Sequence, residues 1–154
     1  MEVLGGPPDR PWVVVDYAHT PDALARVLTT LESAVVGELW CVFGCGGDRD
    51  RGKRPMMGAV AADLADRIVL TDDNPRSEDP ARIVEDIRAG LADHPRVSVI
   101  HDRRTALKTA IERARPGDVV LVAGKGHEAE QLVGAERRVF SDRAVVSELL
   151  GGAG

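Results

Sequence analysis

The sequence predicts an α/β fold, a three-layer sandwich in which a mostly parallel sheet of about six strands carries helices on both faces. The first supporting observation is that short apolar runs alternate along the chain with longer segments whose apolar residues recur every three or four positions. The second is that these runs are apolar throughout, which is typical of strands buried on both faces of a parallel sheet. We also expect one antiparallel strand near the C-terminus.

The apolar runs predict five strands, at residues 12–15, 39–43, 67–70, 97–100 and 119–122. The segments after the first four strands have helical periodicity. Their apolar faces are formed by Leu24, Val27, Leu28 and Leu31, by Met57, Val60, Ala61 and Leu64, by Ile83, Val84, Ile87 and Leu91, and by Ala106, Leu107, Ala110, Ile111 and Ala114. Thr20 before Pro21 is a predicted N-cap, and Asp102 is placed to cap the fourth helix.

The C-terminal part of the chain is less regular. Residues 131–133 and 138–140 flank Gly134 and predict a hairpin or a short strand added at an edge of the sheet. Ser141 is placed to cap a last helix. The apolar face of that helix is formed by Val145, Val146, Leu149 and Leu150. We expect residues 151–154 to be frayed.

Length and composition indicate one globular domain with an aliphatic core. The chain has 154 residues, of which 44% are hydrophobic and 29% charged, as in ordinary folded proteins. A formal net charge of −5 argues against nucleic-acid binding, and no apolar run approaches the roughly 20 residues that span a bilayer. Because no signal peptide is evident, we expect a cytoplasmic protein with no nucleic-acid or membrane partner. Cys41 and Cys45 are too few for a disulfide framework, and no Cys or His cluster predicts a metal site.

Polar or glycine-containing loops follow all five predicted strands, whereas the connections at the other ends of the strands are bland. These loops are residues 16–21, 44–55, 72–76, 101–103 and 124–128. Because the carboxyl ends of parallel strands meet at one edge, the loops should converge where open α/β sheets bind their ligands. The sequence therefore predicts a binding rim formed by these loops.

The loop after the third strand, DDNPR at residues 72–76, is the most informative of them. Arginine can hold a carboxylate through two parallel hydrogen bonds, and Asp and Asn can hold polar or ammonium groups beside it. This combination favours an amino acid as the ligand. The same residue types are ordinary in turns, so a polar turn with an exposed Arg76 is the alternative.

The loop after the second strand is rich in glycine but matches no nucleotide-binding motif. Gly47, Gly52 and Lys53 satisfy most of the phosphate-binding pattern, but Arg54 stands where Ser or Thr would hold Mg²⁺. Arg49 stands in the place of the third glycine of the dinucleotide pattern, which argues against an oxidoreductase. The loop offers the cations Arg49, Arg51, Lys53 and Arg54, which either contact an anion or form a solvated charged run.

The other loops contain candidate residues with two interpretations each. Asp16 either accepts hydrogen bonds from a ribose or caps the next helix, and His19 is either a donor to a phosphate or a structural residue. Lys125 and His127 either serve an anion or are simply exposed by their glycine-flanked turn. Glu128 either holds an ammonium group or begins a short helix, where the helix dipole favours an acid.

Four strings in this order resemble the Mur ligases of peptidoglycan synthesis, and within that family the ligases that add the third residue of the stem peptide. They are DYAHTPDAL at residues 16–24, FGCGGDRDRGKRP at 43–55, TDDNPRSEDP at 71–80 and VLVAGKGHE at 120–128, with SDR at 141–143. The resemblance covers nearly the whole chain. It implies an ATP-dependent ligase that activates a carboxylate as an acyl phosphate, which the amine of the incoming amino acid then attacks to form an amide.

The enzymes of this family have a domain that binds the uridine nucleotide sugar, an ATPase domain, and a Rossmann-like domain that brings in the amino acid. The resemblance implies that residues 1–154 are a single domain of the third kind and that the other two domains lie outside this chain. ATP and Mg²⁺ would then be bound mainly by the central domain, and UDP-N-acetylmuramoyl-L-alanyl-D-glutamate through the other domains. On its own the chain is expected to bind the amino acid without ligase activity.

In these ligases the DNPR string goes with meso-diaminopimelate rather than lysine, and diaminopimelate carries one carboxylate more than lysine. The resemblance implies that the diaminopimelate contacts are Arg49, Asp73, Asn74, Pro75, Arg76, Gly124 and Glu128. Asp16 and His19 match positions that face the nucleotide. No residue of this chain is implied to be catalytic or to bind a metal.

Two alternatives stay open at this point. The first is a lysine-adding Mur ligase domain, which differs from a diaminopimelate-adding one mainly because its amino acid has no distal carboxylate for Arg76 to contact. A free-standing Rossmann-like protein that binds a nucleotide or another anion needs no ligase domains beside it.

Overall fold

A computed structural model describes residues 1–151, which form an α/β domain. Its strands are β1 (Glu2–Gly5), β2 (Trp12–Asp16), β3 (Leu39–Phe43), β4 (Arg67–Leu70), β5 (Val97–Val99), β6 (Val119–Ala123), β7 (Glu130–Val133) and β8 (Glu136–Val139). Its helices are α1 (Pro21–Glu32), α2 (Lys53–Leu64), α3 (Pro80–Arg88), α4 (Arg103–Arg113) and α5 (Asp142–Leu149). The expected frayed end at residues 151–154 lies outside the described residues, except for Gly151, which is in a turn.

Six strands form one sheet in the order β1-β2-β6-β3-β4-β5. All neighbouring strands from β2 to β5 are parallel, and β1 pairs antiparallel with β2 at one edge. The register places Asp16, at the end of β2, beside Ala123, at the end of β6. The predicted mostly parallel sheet is therefore confirmed, and the polar loops begin at one edge of it.

Helices cover both faces of this sheet, as predicted. The side chains of α1, α2 and α3 share one buried cluster, and those of α4 and α5 share the other. Strand β3 alternates between them, with Cys41 and Phe43 in the first cluster and Trp40 and Val42 in the second. Strands β3 and β6 are buried along their whole length, which explains why their sequences are apolar without interruption.

The predicted helix starts are confirmed where the sequence offers a capping side chain. Thr20, Asp102 and Ser141 each accept a hydrogen bond from a backbone N–H of the following turn, at 3.0 to 3.2 Å. Asp79 caps α3 in the same way, and Pro80 follows at the first helical position. Each cap pairs a backbone donor that the helix leaves without a partner, so these residues fix where the loops end.

The predicted position of the antiparallel strand is wrong. The antiparallel strand of the main sheet is β1, at the N-terminus, and the predicted C-terminal hairpin exists as β7 and β8 but forms a separate two-stranded sheet. Strand β1 was not predicted from the sequence because its residues alternate between half-buried and exposed, so it contains no continuous apolar run. Gly5, which ends the strand, and Gly6, which follows it, suggest a loop instead.

Cys41 and Cys45 are both buried and both free. Cys41 lies in the core, as predicted. Burial raises the pKa of the Cys45 thiol to about 12, so this residue is not a thiolate nucleophile at neutral pH, although its loop lies beside the rim.

Candidate functional site

A cleft of about 480 Å³ lies at the carboxyl ends of the parallel strands. The loops after β2, β3, β4 and β6 form its walls. Its charged lining is balanced, since it contains the cations Arg49, Lys53 and Arg76 and the acids Asp50, Asp73 and Glu128. His19, Asn74 and Gly124 also line it. A cleft with this lining suits a ligand that carries both positive and negative groups.

The structure brings together all the predicted amino-acid contacts except Pro75. Arg49, Asp73, Asn74, Arg76, Gly124 and Glu128 share this one cleft, although they come from three different loops. The carbonyl oxygen of Pro75 instead accepts a hydrogen bond from the backbone N–H of Glu78, at 3.1 Å. Pro75 therefore shapes the turn without lining the cleft.

Residues 73–75 of the β4–α3 loop, which spans residues 71–79, are buried. Asp73 and Asn74 are only 8% and 7% exposed. Arg76 has φ of 53°, a left-handed conformation that costs a non-glycine residue about 1 kcal/mol or more. Hairpin β7–β8 holds it there, because Arg76 N–H donates to the Leu132 carbonyl at 3.0 Å and Gly134 N–H donates to the Arg76 carbonyl at 2.7 Å.

The Arg76 side chain reaches the glycine-rich loop. Its Nη1 donates to the Gly47 carbonyl oxygen at 2.9 Å. Among residues 1–151 its guanidinium makes no ion pair, in contrast to Arg54 and Arg103. The remaining guanidinium donors are therefore available to a carboxylate in the cleft, and the alternative of a polar turn with a freely exposed Arg76 does not describe the loop.

The glycines of the β3–α2 loop, residues 44–52, allow it to lie directly on the β4–α3 loop. A Cβ on Gly47 would meet the Pro75 carbonyl oxygen at 1.8 Å, and a Cβ on Gly46 would meet Arg76 Nη1 at 2.8 Å. These glycines therefore accommodate another part of the protein and do not form a cradle for a phosphate. The rejection of a nucleotide-binding loop on sequence grounds agrees with this packing.

The four cations of this loop were predicted either to contact an anion or to form a solvated charged run, and for Arg54 both interpretations are wrong. Arg49 and Lys53 line the cleft, where Lys53 Nζ donates to the His19 carbonyl at 2.7 Å. Arg51 lies 3.7 Å from Asp86. Arg54 is fully buried, so it is available to no ligand.

Arg54 instead fastens the two loops to each other. It donates to both carboxylate oxygens of Glu78, to Asp86 at 2.9 Å, and to the Gly46 carbonyl at 3.0 Å. The hydrogen bonds from Arg54, with that from the Asp48 backbone N–H, lower the pKa of Glu78 to about 2. Burial by itself would lower the pKa of Arg54, but its bonds to Glu78 and Asp86 outweigh that effect and raise it.

The loop after β6 places a lysine in the interior between two glycines. Gly124 has φ of 116° and Gly126 has φ of 55°, which are conformations that favour glycine. A Cβ on Gly124 would meet Asp73 Oδ2 at 2.6 Å, so Gly124 serves mainly to let Asp73 approach. Lys125 between them is fully buried, and neither predicted role for it, anion contact or exposure by the turn, is correct.

A second cavity of about 400 Å³ adjoins the cleft, because Asn74, Arg76 and Glu128 line both. Residues 129, 130 and 132 of the β6–β7 connection and of hairpin β7–β8 close its other side. A ligand in the cleft therefore has room to extend past Arg76 towards the hairpin.

The predicted nucleotide-facing residues differ in their placement. His19 lines the cleft, and its Nδ1 is 2.9 Å from the Tyr17 carbonyl oxygen. Asp16 does not line the cleft; its Oδ2 accepts the Ala18 backbone N–H at 2.9 Å. The alternative that Asp16 caps α1 is wrong, since Thr20 is the cap.

The loop after β5 was expected at the rim but does not line the cleft within residues 1–151. His101 Nδ1 lies 2.7 Å from Asp72 Oδ1. Burial raises the pKa of Asp72, and the hydrogen bond from His101 opposes this rise. Arg103 turns into the interior, where it forms a fully buried ion pair with Asp142 at 2.7 Å.

The sequence alone does not reveal the structural importance of Lys53, Lys125 and the pair of Arg103 with Asp142. Their signals were present: Lys125 lies between glycines directly after a buried strand, and Asp142 belongs to the SDR string. What the sequence does not contain is the direction in which each side chain points. Among residues 1–151 no group of three or more His, Cys, Asp or Glu side chains could hold a metal ion, and no helix in that part is long and apolar enough to cross a membrane.

By its fold and its cleft, this chain is of the class of α/β domains that bind a ligand at the carboxyl ends of their parallel strands. The lining of its cleft contains equal numbers of cations and acids. The model of one protein family, described as "Mur ligase, glutamate ligase domain", matches residues 1–126. This chain therefore belongs to the Mur ligase C-terminal domain family. The family resemblance stated from the sequence motifs is confirmed.

Solved structures agree with this assignment. A UDP-N-acetylmuramoyl-L-alanyl-D-glutamate–2,6-diaminopimelate ligase is 50% identical, with a TM-score of 0.90 over 97% of this chain and 31% of its own chain. A bifunctional folylpolyglutamate synthase/dihydrofolate synthase from Yersinia pestis CO92 is 25% identical, with a TM-score of 0.60 over 80% of this chain and 27% of its own. The same Yersinia pestis enzyme complexed with AMPPNP and Mn shows the same fold, at 22% identity and a TM-score of 0.61 over 80% and 27%. This chain thus spans about a third or less of these ligases.

Proposed function

We propose that this chain is the amino-acid-binding domain of a MurE-type ligase, which adds meso-diaminopimelate to UDP-N-acetylmuramoyl-L-alanyl-D-glutamate in peptidoglycan synthesis. The observation that carries this proposal is that Arg49 and Arg76 line the same cleft as Asp73 and Glu128. A diamino dicarboxylic acid has charges of both signs at both ends, and this lining offers a partner for each.

Arg76 has the most specific role in this proposal. Its guanidinium is held by one bond to the Gly47 carbonyl and by its fixed backbone, and it makes no ion pair within residues 1–151. A planar guanidinium can bind a carboxylate through two parallel hydrogen bonds. We assign it to the distal carboxylate, the group that diaminopimelate has and lysine lacks. Lysine would leave this cation without a partner in a confined site, which is a strong basis for rejection.

The acids of the cleft would hold the amino groups. Asp73 and Glu128 come from different loops, and both line the cleft. Their hydrogen bonds to the incoming amino acid would orient it, so that its reacting amine points at the activated carboxylate. Holding two reactants in the productive geometry is itself a large catalytic contribution, and no residue of this chain needs to act as nucleophile or base.

ATP and a divalent metal ion belong to the complete ligase in this proposal. The support is that a relative was crystallised with AMPPNP and Mn. The described residues do not offer a phosphate cradle, because Gly47 packs on Pro75, and they offer no cluster of metal ligands. This chain would contribute His19 at the side of the cleft formed by the β2–α1 loop, and Asp16 would act through the shape of that loop. The uridine nucleotide substrate and ATP would be bound mainly by other domains, in the cytoplasm.

The proposal is tested by calorimetric titration of this chain with meso-diaminopimelate and with lysine in parallel. We expect heat of binding with diaminopimelate and at least about tenfold weaker binding of lysine, which corresponds to about 1.4 kcal/mol. Equal affinity for the two amino acids would contradict the assigned substrate. Tighter binding of lysine would favour a lysine-adding ligase.

A kinetic test isolates Arg76 in the complete ligase. Arg76→Ala should raise the KM for meso-diaminopimelate by at least about tenfold while the KM for ATP changes little, because a charge-assisted hydrogen bond to a ligand contributes about 1.5–3 kcal/mol. Arg88→Ala is a suitable control, since Arg88 lies on the surface of α3 and is 3.7 Å from Glu85. Equal increases in the KM for ATP and the KM for meso-diaminopimelate in Arg76→Ala would contradict the role of Arg76 as the contact of the distal carboxylate.

A further inference from the structure

Lys125 lies behind the cleft, and its ammonium is surrounded by the groups that we assign to the ligand. Its side chain is fully buried. Nζ donates to Asn74 Oδ1 at 2.9 Å and to Glu128 Oε1 at 3.4 Å, and Asp73 Oδ1 is 3.7 Å away. All three acceptors line the cleft, whereas Lys125 does not. The ammonium is thus shielded from the ligand by its own partners.

These contacts fix the orientation of the Asn74 amide. Oδ1 accepts two hydrogen bonds, from Lys125 Nζ and from the Leu132 backbone N–H, both at 2.9 Å. Both donors can only donate, so the atom that meets them must be the amide oxygen and cannot be the nitrogen. The Nδ2 group must therefore lie on the other side of the amide plane.

The Nδ2 donors of Asn74 are left for the ligand. Nδ2 has no hydrogen-bond partner within residues 1–151, and it is not among the buried unpaired atoms of that part of the chain. Because Asn74 lines both the cleft and the adjoining cavity, its amide presents N–H groups at their junction, beside Arg76. Two neighbouring donors of this kind suit a carboxylate and not an ammonium group.

The charge of Lys125 also limits the repulsion that a dicarboxylic ligand meets. Asp73 and Glu128 place two negative charges in the cleft, and the lysine ammonium lies within 3.7 Å and 3.4 Å of them. Without it, the two carboxylates would repel each other and any ligand carboxylate in the same confined space.

We propose that Lys125 is a positioning residue that sets the polarity of the ligand site. It turns the Asn74 amide so that donors face the ligand carboxylate, and it offsets the charge of Asp73 and Glu128. This inference rests on the proposed function, since it assumes that the ligand has a distal carboxylate. It adds a residue that does not touch the ligand yet determines which ligand is preferred.

The test compares Lys125→Met with Lys108→Met. Lys108 is an exposed lysine of α4 whose nearest carboxylate is Glu112 at 3.9 Å, so its replacement removes the same group far from the cleft. Each variant is titrated with meso-diaminopimelate and with lysine. Lys108→Met should keep the ratio of the two affinities, and Lys125→Met should lower this preference for diaminopimelate by at least about tenfold.

A second variant, Asn74→Asp, tests the polarity without removing the lysine. Its carboxylate still accepts from Lys125 and Leu132, but the outward atom changes from an N–H donor to a negatively charged oxygen. We expect Asn74→Asp to bind diaminopimelate at least about tenfold more weakly, with an unchanged midpoint of thermal unfolding. If Lys125→Met does not fold, Asn74→Asp still tests whether the Asn74 amide presents donors to the ligand carboxylate.

The outcomes separate the two proposals. If the unmodified chain prefers diaminopimelate and Lys125→Met weakens both ligands equally, Lys125 is merely structural and the inference is overturned. If Asn74→Asp binds diaminopimelate as tightly as the unmodified chain, the assigned polarity is wrong. If the unmodified chain does not distinguish the two amino acids, the proposed function itself fails, and this inference fails with it.

Discussion

Two arginines in the first turns of helices, Arg54 of α2 and Arg103 of α4, lie inside the protein and bind backbone carbonyl groups at the edge of the sheet where the loops begin. Arg54 donates to the carbonyl of Gly46, and Arg103 donates to the carbonyls of Asp72 and Ala123, both at 3.2 Å. Each arginine is paired with acidic side chains, as buried charges require. These buried cations hold the loops in place and leave Arg49 and Arg76 as the arginines that line the cleft in residues 1–151.

The buried pair of Arg103 with Asp142 should be essential for stability. Asp142→Asn would leave the fully buried Arg103 guanidinium without its counter-charge. Breaking one side of a buried pair costs about 3–5 kcal/mol, so the free energy of unfolding in urea should fall by about that amount. Glu148→Gln is the matched control on the same helix, because Glu148 pairs with Arg104 at the surface and such pairs contribute about 0–1 kcal/mol. An equal loss of unfolding free energy in Asp142→Asn and Glu148→Gln would show that the burial of the Arg103 pair does not determine its contribution to stability.

Glu78 should make the stability of the domain sensitive to acid. Its pKa is about 2 in the folded protein and 4.5 as the ordinary value, so the ionised carboxylate stabilises the fold fully above about pH 4.5. That contribution is lost progressively as the pH falls from 4.5 towards 2. Glu78→Gln should therefore be less stable at neutral pH and lose less stability over this range, as followed by urea unfolding at several pH values.

The control for Glu78→Gln is Glu85→Gln on α3. Glu85 is 73% exposed and lies 3.7 Å from Arg88, so its replacement should leave the acid dependence nearly unchanged. An identical acid dependence in Glu78→Gln and in the unmodified chain would contradict the role of Arg54 and Glu78 in fastening the two loops.

The sequence alone does not distinguish the buried arginines from those of the cleft. Arg54 and Arg49 belong to one charged run, yet the partners of Arg54 lie 24 and 32 residues further along the chain. Asp142 lies 39 residues from Arg103. The residue types of the loops were enough to predict a charged rim. They do not show which of the charged side chains become buried and paired, because those ion pairs form only in the folded chain.

Hairpin β7–β8 acts as a support for the β4–α3 loop. Its backbone pairs with Arg76, Leu132 N–H donates to Asn74, and Gln131 Nε2 donates to the Asp73 carbonyl at 2.8 Å. The matched family region ends at residue 126, so this hairpin lies beyond it. The element therefore fixes the conformation of the residues that we assign to the distal end of the ligand.

Gln131→Leu should weaken this support without changing the hairpin backbone. The Asp73 carbonyl would lose its partner in a buried position, which costs about 1–3 kcal/mol of the free energy of unfolding. Affinity for meso-diaminopimelate should fall as well, because Asp73 and Asn74 become less well placed. Arg138→Leu, across the hairpin from Gln131, replaces a side chain that is 56% exposed and is the control. Unchanged affinity in Gln131→Leu would contradict the supporting role of the hairpin.

The elements themselves were largely predictable from local patterns. Strands β2, β3, β4 and β6 each contain a continuous apolar run, and the helices have apolar periodicity, with a capping side chain at all of them except α2. Strand β1 was not predictable, because it is short and half exposed. The hairpin was predicted from Gly134, but its attachment to Arg76 was not, since a backbone pairing over such a distance leaves no sequence pattern.

At the scale of the whole domain, the topology explains why distant motifs meet. Strand β6 lies between β2 and β3, so the loop after β6 reaches the loops that follow β2, β3 and β4. Once a parallel sheet was predicted, convergence of these loops followed from geometry. The loop after β5 is the exception, because β5 is the edge strand and its loop turns towards Asp72 and the interior.

The charge of the cleft differs from the charge of the domain as a whole. The chain carries a formal net charge of −5, yet three cations and three acids line the cleft. A lining with equal numbers of charges of both signs suits a zwitterion better than a simple anion, which favours an amino-acid ligand over the free-standing anion-binding alternative.

The central claim, that Arg76 binds the distal carboxylate of the incoming amino acid, is tested most directly by a crystal structure of this chain with meso-diaminopimelate. We expect that carboxylate to lie within about 3 Å of the Arg76 guanidinium and close to Asn74 Nδ2. A bound amino acid whose distal carboxylate lies elsewhere, with Arg76 still donating only to the Gly47 carbonyl, would contradict the account.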